Sequence, residues 1–133
     1  MDDIWDVDDW VEEAARSSIR EFYLENVESS VNLPLRKILA RLFTLAIDGK
    51  IEILYQAQCP VCSSRDVVWP VAFTSTRDYH KFEAPTGSKI CGDHEFEVGL
   101  DNTYLLFRVT AYYMDRVQKR NENNRGIRRF IHR

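Results

Sequence analysis

No apolar run in the chain approaches the roughly 20 consecutive residues that a membrane-spanning helix needs, so a membrane protein of that kind is not expected. Cysteine is scarce, with three in 133 residues. An odd number leaves one thiol over, which disfavours a disulfide framework. Met1 to Trp10 lacks Lys and Arg and carries five aspartates. This is the opposite of the basic leader of a signal or transit peptide, and the expected compartment is the cytosol. Also missing are H-E-x-x-H, G-x-S-x-G, a phosphate-binding loop and the dinucleotide glycine fingerprint, so the common hydrolase and nucleotide chemistries have no foothold, and the expected protein is not an enzyme. With five glycines, four prolines and no internal repeat, fibrous and solenoid architectures are excluded as well.

What remains is the composition of a globular domain: 44% hydrophobic, 12% aromatic and 29% charged. A chain of this size buries roughly two thirds of its unfolded surface on folding, and one domain spanning 1–133 is expected. The net charge of −3 hides a gradient. Residues 1–30 hold ten acids and two bases, 115–133 hold two acids and seven bases, and the middle is neutral. Such a chain folds its ends together, pairs head to tail with a copy of itself, offers opposite faces to two partners, or leaves both termini solvated with no partner.

Periodicity divides the chain into three parts: 1–49, 50–98 and 99–133. In the first, Asp9 with Glu12 three residues on reads as a cap for a helix over about 10–27, its stripe being Val11, Ala15, Ile19, Phe22 and Val27. Pro34 opens a second helix whose stripe is Leu35, Ile38, Leu39, Leu42, Leu45 and Ala46. Asp48-Gly49 ends it. From Lys50 the period drops to two, and a strand is expected over about 51–58. A second strand is expected over 67–73, with Pro70 placing it at a sheet edge or breaking it. A loop or weak hairpin follows over 74–88, then a short strand over 95–98 and a turn at Gly99 to Asn102. Residues 103–119 suit either a helix capped by Asn102 or a strand start, and the helix is preferred. The expected class is α+β: an N-terminal helical pair, a small zinc-stabilised antiparallel β element and a C-terminal helix with a basic tail.

The chemistry sits in Cys59, Cys62, Cys91 and His94, which form C-x2-C-x28-C-x2-H. Two residues between ligands let one tight turn aim both side chains at a single ion, and two such turns complete a tetrahedral Zn²⁺ site. All three cysteines are used. One structural zinc per chain is expected, with no open position for water or substrate. The deaminase pattern does not apply, because its H-x-E precedes P-C-x-x-C, whereas here the histidine comes last.

Cys59-Pro60-Val61-Cys62-Ser63 resembles the first knuckle of the zinc-ribbon group, whose usual form is C-P-x-C-G, and Cys91-Gly92-Asp93-His94 resembles its second. The resemblance covers about 51–98 and implies knuckles at hairpin tips; the long spacer leaves a treble-clef arrangement open. Ser63 in place of glycine and a histidine as fourth ligand depart from the usual pattern. Zinc ribbons serve in transcription, in nucleic-acid enzymes and as docking modules, so the resemblance selects no function.

His80 reads as a surface loop histidine. Trp69, Phe73, Tyr79 and Phe82, with Arg65, Arg77 and Lys81, could stack nucleic-acid bases, but covering the small β core is the favoured role. Trp5 and Trp10 are expected to pack on the first helix. The helix, Pro34 helix, Asp48-Gly49-Lys50 turn and strand resemble a winged-helix segment, which implies that Arg36, Lys37 and Arg41 face phosphates or bases, with Arg125, Arg128 and Arg129 adding backbone contacts. Against that stand the acidic balance and the acidic N-terminal arm. The preferred expectation is a zinc-stabilised adaptor that binds a protein partner or itself; nucleic-acid binding is the alternative.

Overall fold

The segment that reads as one helix over 10–27 is three elements. In the computed structural model, which describes residues 4–71 and 85–120, helix α1 spans Ile4–Arg16, strand β1 Glu21–Tyr23 and helix α2 Leu24–Glu28. Asp9 therefore lies inside α1 rather than at its cap. The helix stops at Ser18, which takes a φ of +62°. The Ile19 N–H reaches the Ala14 carbonyl and the Ser18 N–H the Ala15 carbonyl, the double closure of a helix C-terminus that normally employs glycine. Val11 and Ala15 are buried as the stripe requires, but Ile19 is exposed. Phe22 and Val27 enter the core from β1 and α2 instead.

Helix α3, Leu35–Ile47, follows Pro34 as expected. Ile38, Leu42 and Leu45 are buried; Leu35 is exposed, and Phe43, outside the expected stripe, is buried. The turn at Asp48-Gly49, with Gly49 at φ +81°, leads into β2, Ile51–Ala57. Strand β3, Val67–Pro70, pairs antiparallel with β2 and forms one edge of the sheet, where Pro70 costs no ladder bond. Phe73 and residues 74–84 of the expected loop or weak hairpin over 74–88 lie outside the described residues. Strand β4, Ser88–Cys91, had no sequence signal; it pairs with β5, His94–Glu97, as a separate two-stranded sheet.

The expected helix over 103–119 begins as a strand. Strand β6, Thr103–Val109, sits between β1 and β2 in the order β1-β6-β2-β3, every neighbour antiparallel. Asn102 caps a turn, not a helix: its side-chain oxygen accepts the Gly99 N–H at 2.8 Å. Helix α4 then covers 111–120, with the Thr110 hydroxyl accepting the Tyr113 N–H in the manner of an N-cap.

The main core lies between one face of the four-stranded sheet and helices α1 and α3. Phe22 stacks on Phe107 at 5.4 Å and meets the edge of Trp10 at 4.8 Å. Leu54, on the opposite face of β2, is buried beside its register partner Leu106. A small second core of Ala57, Cys59, Phe96 and Val98 joins the β4–β5 hairpin to the main sheet. Trp69 packs against both cores.

Candidate metal centre

Strand β2 delivers the chain into the first knuckle. The Gln58 N–H is held by the Asn102 carbonyl at 2.8 Å, which fixes the strand end. The chain then folds back on itself, with the Cys59 N–H donating to the Ser64 carbonyl and the Ser63 N–H to the Cys59 carbonyl, each at 2.9 Å. Ser63 adopts a φ of +63°, so the serine occupies the left-handed conformation for which glycine is the usual choice. The second knuckle is the two-residue turn between β4 and β5, with Gly92 at φ +59° as its first central residue.

These turns bring the three cysteines together. Their sulfurs lie within 4.8 Å of one another, close enough to hold a metal ion. Cys62 Sγ is 3.5 Å from Cys91 Sγ, and Cys59 Sγ is 3.8 Å from His94 Nδ1. Around tetrahedral zinc the sulfur–sulfur edge is about 3.8 Å and the sulfur–nitrogen edge about 3.5 Å, given Zn–S of about 2.3 Å and Zn–N of about 2.0 Å. Both separations come within a few tenths of an ångström of those edges, but the set of donor atoms that all lie within 4.8 Å of one another holds the three cysteines and not His94. Cys59 is only 1% exposed, Cys91 and His94 are half-buried, and Cys62 faces solvent.

Burial and hydrogen bonding split the thiols. The Cys62 N–H, and after it the Val61 N–H, bring the Cys59 thiol down to about 7 against the opposing effect of burial. The Cys91 thiol is pushed up to about 11, chiefly by the hydrogen bond it shares with Cys62 and then by burial. Backbone amides thus favour a thiolate at Cys59, while the hydrogen bond shared with Cys62 and burial disfavour one at Cys91.

The other singled-out residues are distributed as follows. Arg36 and Lys37 are exposed at the start of α3. Arg41 is engaged: its Nε and Nη2 each donate to an Asp8 carboxylate oxygen at 2.7 Å, and its guanidinium lies 4.9 Å from the Trp5 ring centroid. Arg65 stacks over Tyr104 at 4.2 Å and Lys89 over Trp69 at 4.3 Å. Trp69 also packs on Tyr55 at 5.6 Å, as a core aromatic does. Arg77, Tyr79, His80, Lys81, Phe82, Arg125, Arg128 and Arg129 lie outside the described residues. No motif could have exposed the Asp8–Arg41 pair, because its members are 33 residues apart on different helices. No described helix is long and apolar enough to cross a membrane. Compared with known proteins, the chain matches no family model, no curated sequence and no solved structure.

Proposed function

We propose that the chain is a zinc-stabilised adaptor that binds another protein, with Cys59, Cys62, Cys91 and His94 holding one structural Zn²⁺. The observation that carries the metal assignment is the donor set itself: three sulfurs within 4.8 Å, and an imidazole nitrogen 3.8 Å from the buried one. When bound, the ion supplies the positive charge that lets three neighbouring sulfurs ionise together. Cys59 and Cys62 belong to the loop after β2, Cys91 and His94 to the β4–β5 hairpin. The four residues thus tie the hairpin to the main sheet, alongside a small apolar cluster and the contact of Lys89 with the Trp69 ring. With all four positions taken by side chains, the centre serves architecture rather than catalysis.

The docking role is supported by what surrounds the centre. Leu100, Ile90 and Val61 are 79%, 68% and 66% exposed, the most exposed large hydrophobic side chains among the described residues. All three belong to its knuckles, its hairpin or the turn beside it. The base that α3 would need for a nucleic-acid contact at Arg41 is instead occupied by Asp8.

The test combines metal and binding measurements on the full chain. One zinc per chain in natively purified protein, and loss of the hairpin's amide protection on chelation, are the expected results. Retention on heparin or DNA resin should be weak. Capture of a protein partner should be lost in Ile90→Ser with metal content intact, and should fall when Arg125, Arg128 and Arg129 are neutralised. Absence of metal refutes the zinc assignment. Salt-sensitive, sub-micromolar binding to DNA or RNA that falls on substitution of Arg36 or Lys37 refutes the adaptor reading and establishes nucleic-acid binding.

A further inference from the structure

We infer that Cys62 and Cys91 form an oxidant-responsive dithiol whose closure to a disulfide withdraws two of the donors from the centre. The three sulfurs are not equivalent. Cys59 is 1% exposed, enclosed by Ala57, Phe96 and Val98, and its sulfur faces the His94 ring. Cys62 is exposed and Cys91 is half-exposed, and their sulfurs are 3.5 Å apart. An oxidant arriving from solvent meets Cys62 first and finds Cys91 in place as the resolving thiol.

Closure needs the two sulfurs to approach by about 1.5 Å, to the disulfide length of about 2.05 Å. Cys62 lies in the loop after β2 and Cys91 is the last residue of β4, beside the two-residue turn, so side-chain rotation and small shifts of the two turns can supply the movement.

The chemistry balances with a peroxide as oxidant. The Cys62 sulfur attacks one peroxide oxygen, the O–O bond breaks, and a sulfenic acid and one water result from hydrogen peroxide. The Cys91 sulfur then attacks the Cys62 sulfur, the S–S bond forms, the S–O bond breaks, and the departing hydroxide becomes a second water by taking the Cys91 thiol proton in metal-free protein or a solvent proton where the ion has already displaced it. Two electrons pass from the two thiols to the peroxide. Cys59 and His94 remain as a pair of donors, too few for a four-coordinate structural site. The disulfide then replaces the lost coordination as the tether between the first knuckle and the hairpin. The metal-release step rests on the zinc assignment proposed above; the thiol step does not.

The test is stoichiometric hydrogen peroxide added to the full chain as purified, with metal content measured on the same sample beforehand. The expected result is a mass loss of about 2 Da, a Cys62–Cys91 crosslinked peptide, release of one metal per crosslink, and reversal of the mass change by dithiothreitol. In Cys91→Ser, the crosslink should be lost and Cys62 should become reactive to a sulfenic-acid probe. Crosslinks made mainly through Cys59, disulfides between chains, or oxygenated sulfur without any crosslink would overturn the inference, and the wild-type mapping decides this even where a variant fails to fold. A metal-free preparation that still forms the Cys62–Cys91 bond would refute the zinc assignment while leaving the dithiol in place.

Discussion

Arg41→Ala separates a structural arginine from a partner-binding one. The guanidinium makes two parallel hydrogen bonds of 2.7 Å to Asp8, with the two side chains 19% and 22% exposed. Fully exposed ion pairs contribute about 0.2–1 kcal/mol, and hydrogen bonds to charged groups about 1.5–3 kcal/mol. At one-fifth exposure with bidentate geometry, the coupling should be about 1.5–2 kcal/mol. Lost contact with the Trp5 ring adds about 0.5–1 kcal/mol, so the total is about 2–3 kcal/mol. For a chain of this length that lowers the melting temperature by about 10 °C. The assay is a double-mutant cycle of Asp8→Ala and Arg41→Ala read by thermal or urea unfolding, with Arg36→Ala and Lys37→Ala as controls expected within about 0.5 kcal/mol of wild type. A coupling below about 0.3 kcal/mol, or Arg41→Ala melting with the wild type, would refute the reasoning and return Arg41 to the pool of bases free for a partner.

Leu42→Ala should cost about 2–5 kcal/mol in denaturant unfolding, because the side chain is wholly enclosed between α1 and the sheet. Ser63→Gly should stabilise by about 0.5–1 kcal/mol, since the residue sits at φ +63° and glycine removes the left-handed penalty while adding unfolded-state entropy; a fall in melting temperature would contradict this. Metal-free protein should show a bell-shaped stability profile, read by melting across pH. Cys59, held near 7 against an ordinary 9, contributes stability that is complete above pH 9 and lost as pH falls through 7. Cys91, held near 11, contributes stability that is complete below pH 9 and lost as pH rises toward 11. The optimum should therefore lie near pH 9, and a steady decline in melting temperature from 7 to 9 would refute it.

Elements whose signals are local were readable from the sequence. Helix α3 and strand β2 each show their own period, and the cysteine spacing alone indicated the cluster. The misread segments are those decided by partners distant in the chain. Phe22 keeps helical spacing with Val11 and Ala15, yet it pairs with Phe107 across the β1–β6 ladder. Leu105 and Val109 keep helical spacing too, but Tyr104 to Val109 fill the gap between β2 and β1, and completing two ladders outweighs local preference. The break at Ser18 was invisible for a different reason: the closing residue is a serine in a conformation that sequence signals assign to glycine. Strand β4 has only Ile90 and Cys91 as apolar residues, and it forms because β5 and the knuckle hold it in register.

The charge gradient acquires a physical meaning once α1 and α4 are placed. Of the outcomes such a gradient permits, the described residues realise the first where α4 meets α1. Arg120 lies 3.5 Å from Glu12, Gln118 donates to the Ala15 carbonyl and the Ser18 hydroxyl, and Val117 is buried in the main core. Glu12 also lies 3.5 Å from Arg16, so one carboxylate faces two guanidinium groups, while Asp8 on the same helix holds Arg41 of α3. Acids of α1 thus act as counter-charges for two helices that pack on it. A charge already opposed inside the fold attracts a partner weakly, because the incoming group must displace the existing one and its geometry. Asp8 and Glu12 are therefore poor guides to what the protein binds, and the surface beside the cysteine centre, where apolar side chains are exposed without such a role, is the better-supported docking face of the proposed adaptor.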